Sequence, residues 1–87
     1  MSRTSDKELE KRIKDAHKLV EIGARYRHSK TGGEYILHSI GLIEATLTPA
    51  IVYKATYNER LYFIRPINDF LGETEIDGKK MPRFKKI

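Results

Sequence analysis

Leu9, Ile13, Ala16 and Val20 are spaced four, three and four residues apart, with Leu19 beside them. That spacing lays one apolar stripe along a helix. Ser5 with Glu8 three positions on has the pattern of a capping box, in which each side chain satisfies the other residue's free backbone N–H, and Gly23 offers a left-handed residue to close the helix. The sequence predicts a helix of about 17 residues, about 26 Å long. Glu8 with Arg12 and Glu10 with Lys14 stand at i,i+4 spacing, pairs worth roughly 0.2–0.5 kcal/mol each. The stripe is thin and the other faces are charged, so the helix must dock to persist, either on its own domain or on a second copy.

After Gly23 the period shortens to two, and turn chemistry recurs about every ten residues. The first strand, about Arg25 to His28, runs into Ser29-Lys30-Thr31-Gly32-Gly33, where glycines supply the positive φ of a hairpin loop. The second covers about Glu34 to Ile43. Thr48-Pro49 breaks the pattern, and Ala50 to Tyr57 follows with Ile51, Tyr53, Ala55 and Tyr57 on one face and Val52, Lys54 and Thr56 on the other. Asn58-Glu59-Arg60 turns into Leu61 to Arg65, which Pro66 ends because it has no N–H to donate. Ile67 to Leu71 reads as one helical turn. Glu73 to Ile76 and Lys79 to Met81 form a last hairpin about Asp77-Gly78. The fold class is therefore mainly β with one α-helix: residues 1–22 as an amphipathic helix, then residues 23–87 as a small five-stranded SH3-like barrel with a basic tail. So few strands protect their edges best by curling closed. The alternative is an open five-stranded sheet covered by the helix.

Composition narrows the class. The 87 residues suit one domain, and Leu, Ile, Val and Phe number 22, above the roughly one-fifth level below which chains stay disordered. No Cys is present, so there is no disulfide staple, thiolate metal site or cysteine nucleophile. No apolar run approaches the roughly 18 residues of a membrane span, and the polar first twenty residues lack the apolar block of a signal peptide. A cytoplasmic protein that touches no membrane is expected. The net charge of +5 comes from the tail, where Lys79, Lys80, Arg83, Lys85 and Lys86 stand without an acid. A tail of this kind either binds an anion or is merely solubilising, because duplex binders usually spread Lys and Arg over a folded face.

Several short motifs add a kinship. Tyr26-Arg27-His28-Ser29-Lys30 with Tyr35, Glu44-Ala45-Thr46, Val52-Tyr53-Lys54-Ala55-Thr56-Tyr57, Phe63-Ile64-Arg65-Pro66, Phe70, Asp77-Gly78 and Pro82-Arg83-Phe84 follow one another in order. In these the chain from Gly23 onward, about three quarters of its length, resembles the bacterial and phage family known as domain of unknown function 1653. Phe63 stands where that family usually has Trp, and the N-terminal helix is an addition to the bare domain. The resemblance implies a single small domain with these strand boundaries. It carries over no reaction.

The residues able to do chemistry are Tyr26, His28, Lys30, Tyr35, Glu44, Tyr53, Arg65 and Arg83. Tyr26 and His28 share a face of the first strand. Phe63 and Arg65 point to one side of the fourth. Arg or Lys beside Tyr and His suits a ligand with a phosphate and a flat base: the guanidinium forks onto the phosphate and a ring stacks on the base. The rival reading makes the tyrosines core, His28 a rim residue and Arg65–Glu44 a structural ion pair. Catalysis is disfavoured. His17, His28 and His38 lack tight metal-ligand spacing, Ser29 or Ser39 could be grouped with His28 and Glu44 but no sequence pattern links them, and Thr31-Gly32-Gly33 lacks the spacing and the Lys-Ser/Thr ending of a phosphate loop. No cofactor is expected. The expected function is a non-catalytic binding module for a phosphate-bearing ligand, nucleic acid or small nucleotide. With the phage kinship and the helical stripe, this extends to a homo-oligomer, assembled through the helix, that sequesters nucleotides. The competing class is a protein-interaction module that takes a peptide along a barrel edge or aromatic groove.

Overall fold

A computed structural model describes residues 4–87. The first three residues of the expected helical segment lie outside the described part. The elements are α1 (Asp6–His17), β1 (Arg25–His28), β2 (Glu34–Ile43), β3 (Thr48–Ala55), β4 (Tyr62–Pro66), α2 (Ile67–Phe70), β5 (Glu73–Ile76), β6 (Lys79–Pro82) and β7 (Phe84–Lys86).

Ser5 caps α1 as its sequence suggests, its Oγ accepting from the Glu8 N–H at 3.2 Å. The Glu8 carboxylate turns instead to Arg12, 3.5 Å away, so only half of a capping box forms. Lys11 and Asp15 make a second i,i+4 pair at 2.9 Å. The helix is 12 residues long, not about 17, and closes at Lys18 rather than Gly23. Ala16 and Val20 are buried, whereas Leu9 and Ile13 are only half-buried and Leu19 is exposed. The small Ala16 lets the helix approach the sheet, and the Arg12 guanidinium donates to the Leu47 carbonyl at 2.9 Å. The helix thus docks on its own domain. Gly23, at φ +84°, turns the chain into β1, its N–H donating to the Leu37 carbonyl at 2.7 Å.

β1 to β4 form an antiparallel meander and β7 returns to pair with β1, giving the order β4-β3-β2-β1-β7. A register shift between Leu37 and Ser39 bulges β2. β3 begins earlier than its alternation suggests: Pro49 stands opposite Leu42 near the strand's start, where a missing N–H is tolerated. One face of the sheet carries Tyr26, Leu37, Ile51, Tyr53 and Phe84, all buried, and α2 lays Ile67 and Phe70 against it. The other face carries Arg25 and Arg27, both bonded to Glu34, at 3.0 and 3.2 Å.

The sheet does not close into a barrel, since β4 and β7 are its two ends. Phe70 of α2 stacks on Phe84, with centroids 4.3 Å apart and planes 10° apart. The architecture is the open alternative, a five-stranded sheet plus the separate hairpin β5-β6, whose turn at Asp77 and Gly78 has φ +51° and +78°. The expected basic tail is also corrected. Phe84–Lys86 is a strand, Lys86 pairs with Glu21, and the Ser29 N–H donates to the Arg83 carbonyl at 2.9 Å. Among the described residues no helix is long and apolar enough to cross a membrane.

Candidate functional site

Alternation along β2, β3 and β4 puts Tyr35, Tyr53 and Phe63 on the inner face, and β7 adds Phe84. Their rings meet as a continuous wall. Tyr35 stands edge-on to Tyr53 at 5.1 Å, to Phe63 at 5.8 Å and to Tyr57 at 6.0 Å, while Tyr53 stacks with Phe63 at 5.7 Å. Offset and edge-on packing of this kind matches the negative face of one ring to the positive rim of the next. Burial grades along the wall. Tyr53 and Phe84 are sealed, Tyr35 is half-buried, and Phe63 and Tyr57 are exposed. Burial and, after it, the neighbouring Tyr57 hydroxyl push the Tyr35 phenol up to about 12.

Positive charge sits on this wall. The Arg65 guanidinium lies 5.8 Å over the Phe84 ring, and its Nε donates to the Tyr53 hydroxyl in a long contact of 3.4 Å. Arg65 is half-buried and, among the described residues, has no carboxylate within ion-pair distance. Among the described residues its two terminal nitrogens make no hydrogen bond. His28 packs edge-on against Phe84 at 4.9 Å. Its Nδ1 accepts from the backbone N–H groups of Lys30 and Thr31 at 3.2 and 3.3 Å, which assigns the proton of the neutral ring to Nε2. Burial, then the charges of Arg65, Arg83 and Lys30, hold the His28 pKa below its ordinary value. Three cations therefore act on one imidazole, and no acid offsets them.

The eight residues singled out from sequence separate on this map. His28, Lys30, Tyr35, Tyr53 and Arg65 gather at or around the ring wall. Arg83 is close enough to act on His28, but its guanidinium donates to the carbonyls of Asp69 and Glu73 at 3.0 and 3.2 Å, so it clasps the base of the β5-β6 hairpin to α2. Tyr26 is on the expected face but sealed, edge-on to Phe70, its hydroxyl accepting from the Glu21 N–H at 3.1 Å. It is a core residue. Glu44 is exposed in the turn after β2 and makes no ion pair with Arg65. The Arg65–Glu44 ion pair of the rival reading is therefore not formed. Phe84 and Tyr57 complete the wall and were missed. Phe84 sits on three residues, too few to show a period, whereas alternation puts Tyr57 on the face of Tyr53 although β3 ends at Ala55.

A concavity of about 630 Å³ lies elsewhere, between α1 and Leu42, lined by Leu9 and Ile13 with a rim of mixed charge from Asp6, Glu10, Lys14 and His17. Among the described residues, no three His, Asp or Glu side chains come together as a metal site.

No curated protein and no solved structure matches the chain. A family model matches residues 24–86, beginning after α1 and running from the entry to β1 through β7. The ring wall and its cations thus lie within the matched segment, and the chain belongs to the family described as protein of unknown function DUF1653.

Proposed function

We propose that the chain is a non-catalytic binding module whose inner face holds a small phosphate-bearing ligand with a flat ring, of the nucleotide class. The observation that carries the reading is Arg65: a half-buried guanidinium, seated on aromatic rings, without a carboxylate. Desolvating a cation without a partner is costly, so an anion arriving there recovers a large interaction. The two free nitrogens of Arg65 fork onto a phosphate, Lys30 adds a mobile charge, and the His28 Nε2–H is a neutral donor. Exposed Phe63 and Tyr57 offer the faces on which a base stacks. We read the fold as SH3-like but left open: a meander, a single helical turn, a separate hairpin and a returning strand. The cations cluster instead of following a line, which favours a small nucleotide over a polynucleotide. A sequestering role suits a site that has binding groups and no paired nucleophile and base.

Calorimetric titration with mononucleotides, cyclic nucleotides and a single-stranded oligonucleotide, at low and high salt, tests the reading. A nucleotide is expected to bind with modest salt dependence. Arg65→Ala is expected to weaken it about ten- to a hundredfold, since a charged hydrogen bond is worth roughly 1.5–3 kcal/mol. Absence of binding by every probe at low salt would refute it. Affinity that collapses steeply with salt, and only for the oligonucleotide, would move the ligand to nucleic acid.

A further inference from the structure

The two edges of the sheet are guarded very differently. β7 is three residues long and carries Lys85 and Lys86, the charged, abbreviated edge that water-exposed strands usually have. Among the described residues, β4 has β3 on one side and no strand on the other. Along it and its entry run Leu61, Tyr62, Phe63 and Ile64, exposed by 39, 50, 37 and 68%. Four consecutive large apolar residues on an open edge are what a soluble sheet avoids unless the edge is covered. Pro66 guards only the last position, and Arg65 turns inward to Tyr53.

We propose that a second copy of the chain covers this edge, the two β4 strands pairing antiparallel about a two-fold axis and joining both five-stranded sheets into one. Closure selects this occupant. Pairing β4 with the β7 edge of another copy is head-to-tail and would leave a free β4 edge at the end of every growing chain. Pairing β4 with itself is closed and self-complementary. Centred on Phe63, it sets Phe63 against its equivalent, Tyr62 against Ile64 of the second copy, and Arg65 against Leu61, so no cation opposes a cation. With the axis normal to the sheet the two inner faces become continuous. Phe63 and Leu61 of the second copy then extend the ring wall beside Arg65. The pairing itself does not rest on the ligand reading.

Sedimentation equilibrium of the full chain, with Ile64→Lys and Leu19→Lys, tests it. Both positions are well exposed, so both variants should keep the native circular dichroism spectrum. The chain is expected to be a dimer at about 100 μM, with Ile64→Lys raising the dissociation constant at least about thirtyfold and Leu19→Lys leaving it unchanged. A monomer at that concentration would overturn the proposal and leave the edge to an extended peptide of another protein. So would a dimer that survives Ile64→Lys, one that dissolves only with Leu19→Lys, or growth into open-ended species.

Discussion

Phe84→Ala probes the point at which fold and site share a residue. Phe84 is 8% exposed, stacked on Phe70 at 4.3 Å, edge-on to His28 at 4.9 Å, against Tyr53 at 5.2 Å and under Arg65 at 5.8 Å. A buried Phe covers roughly 150–250 Å², which at about 25 cal/mol per Å² gives roughly 4–6 kcal/mol for the whole residue. Ala keeps the backbone and Cβ share. The measured range for Phe→Ala in a core, about 3–5 kcal/mol, is therefore the expected loss. A chain of this length has total stability of roughly 4–13 kcal/mol, so much of it goes with one ring. Urea unfolding followed by circular dichroism reads the effect. Phe84→Leu, expected to lose about 1–2 kcal/mol, keeps a native baseline should the Ala variant lack one. If β7 were a solvated tail, both substitutions would cost less than about 0.5 kcal/mol, and that result would refute the strand, the stacking and the wall together.

Two pH dependences follow from the same wall. The His28 pKa lies below its ordinary value of 6.5, so as pH falls through 6.5 the unfolded chain takes up a proton that the folded chain declines. Stability is expected to drop across that window and level off once the folded ring is protonated too. His28→Asn should flatten this part of the curve; an unchanged slope between about pH 5 and 7 would place the effect elsewhere. The carboxylates of Asp15 and Glu34, held down by Lys11 and by Arg25 with Arg27, lose their contributions only at lower pH, below 3.8 and 4.5, and so do not obscure it. Tyr35 shows the opposite sign: held up to about 12, it keeps its proton while the unfolded chain loses one near 10.0, so stability falls as pH rises between these values. Subtracting the tyrosinate absorbance titration of Tyr35→Phe from that of the parent chain should leave a step near 12. A step near 10 would show an open phenol.

What could be read from sequence divides along a physical line. Chemistry that acts over two to four residues was legible: the Ser5 cap, the Asp77-Gly78 turn, and the alternation that buries Ile51, Tyr53 and Ala55 while Lys54 faces away. Errors arose where a distant segment decides. Val20 continued the helical spacing, yet it is buried after α1 has ended, because the turn at residues 18–23 still presses it onto the core. Alternation correctly put Tyr26 and His28 on one face, but only the position of α2 determines that Phe70 closes over Tyr26 and leaves His28 half-buried. The same holds for the barrel. Five strands with turn spacing are compatible with a closed sheet or an open one, and the choice rests on whether β4 and β7, distant segments that carry no shared period, pair with each other. The Arg65–Glu44 pair suggested by charge does not form, and the turn that carries Glu44 holds Leu47 at φ +57° without a glycine to announce it. A strand pattern therefore assigns the face of each side chain, but access along that face depends on what packs over it. For this chain that covering separates a sealed tyrosine, Tyr26, from a half-buried arginine, Arg65, on the same side of one sheet.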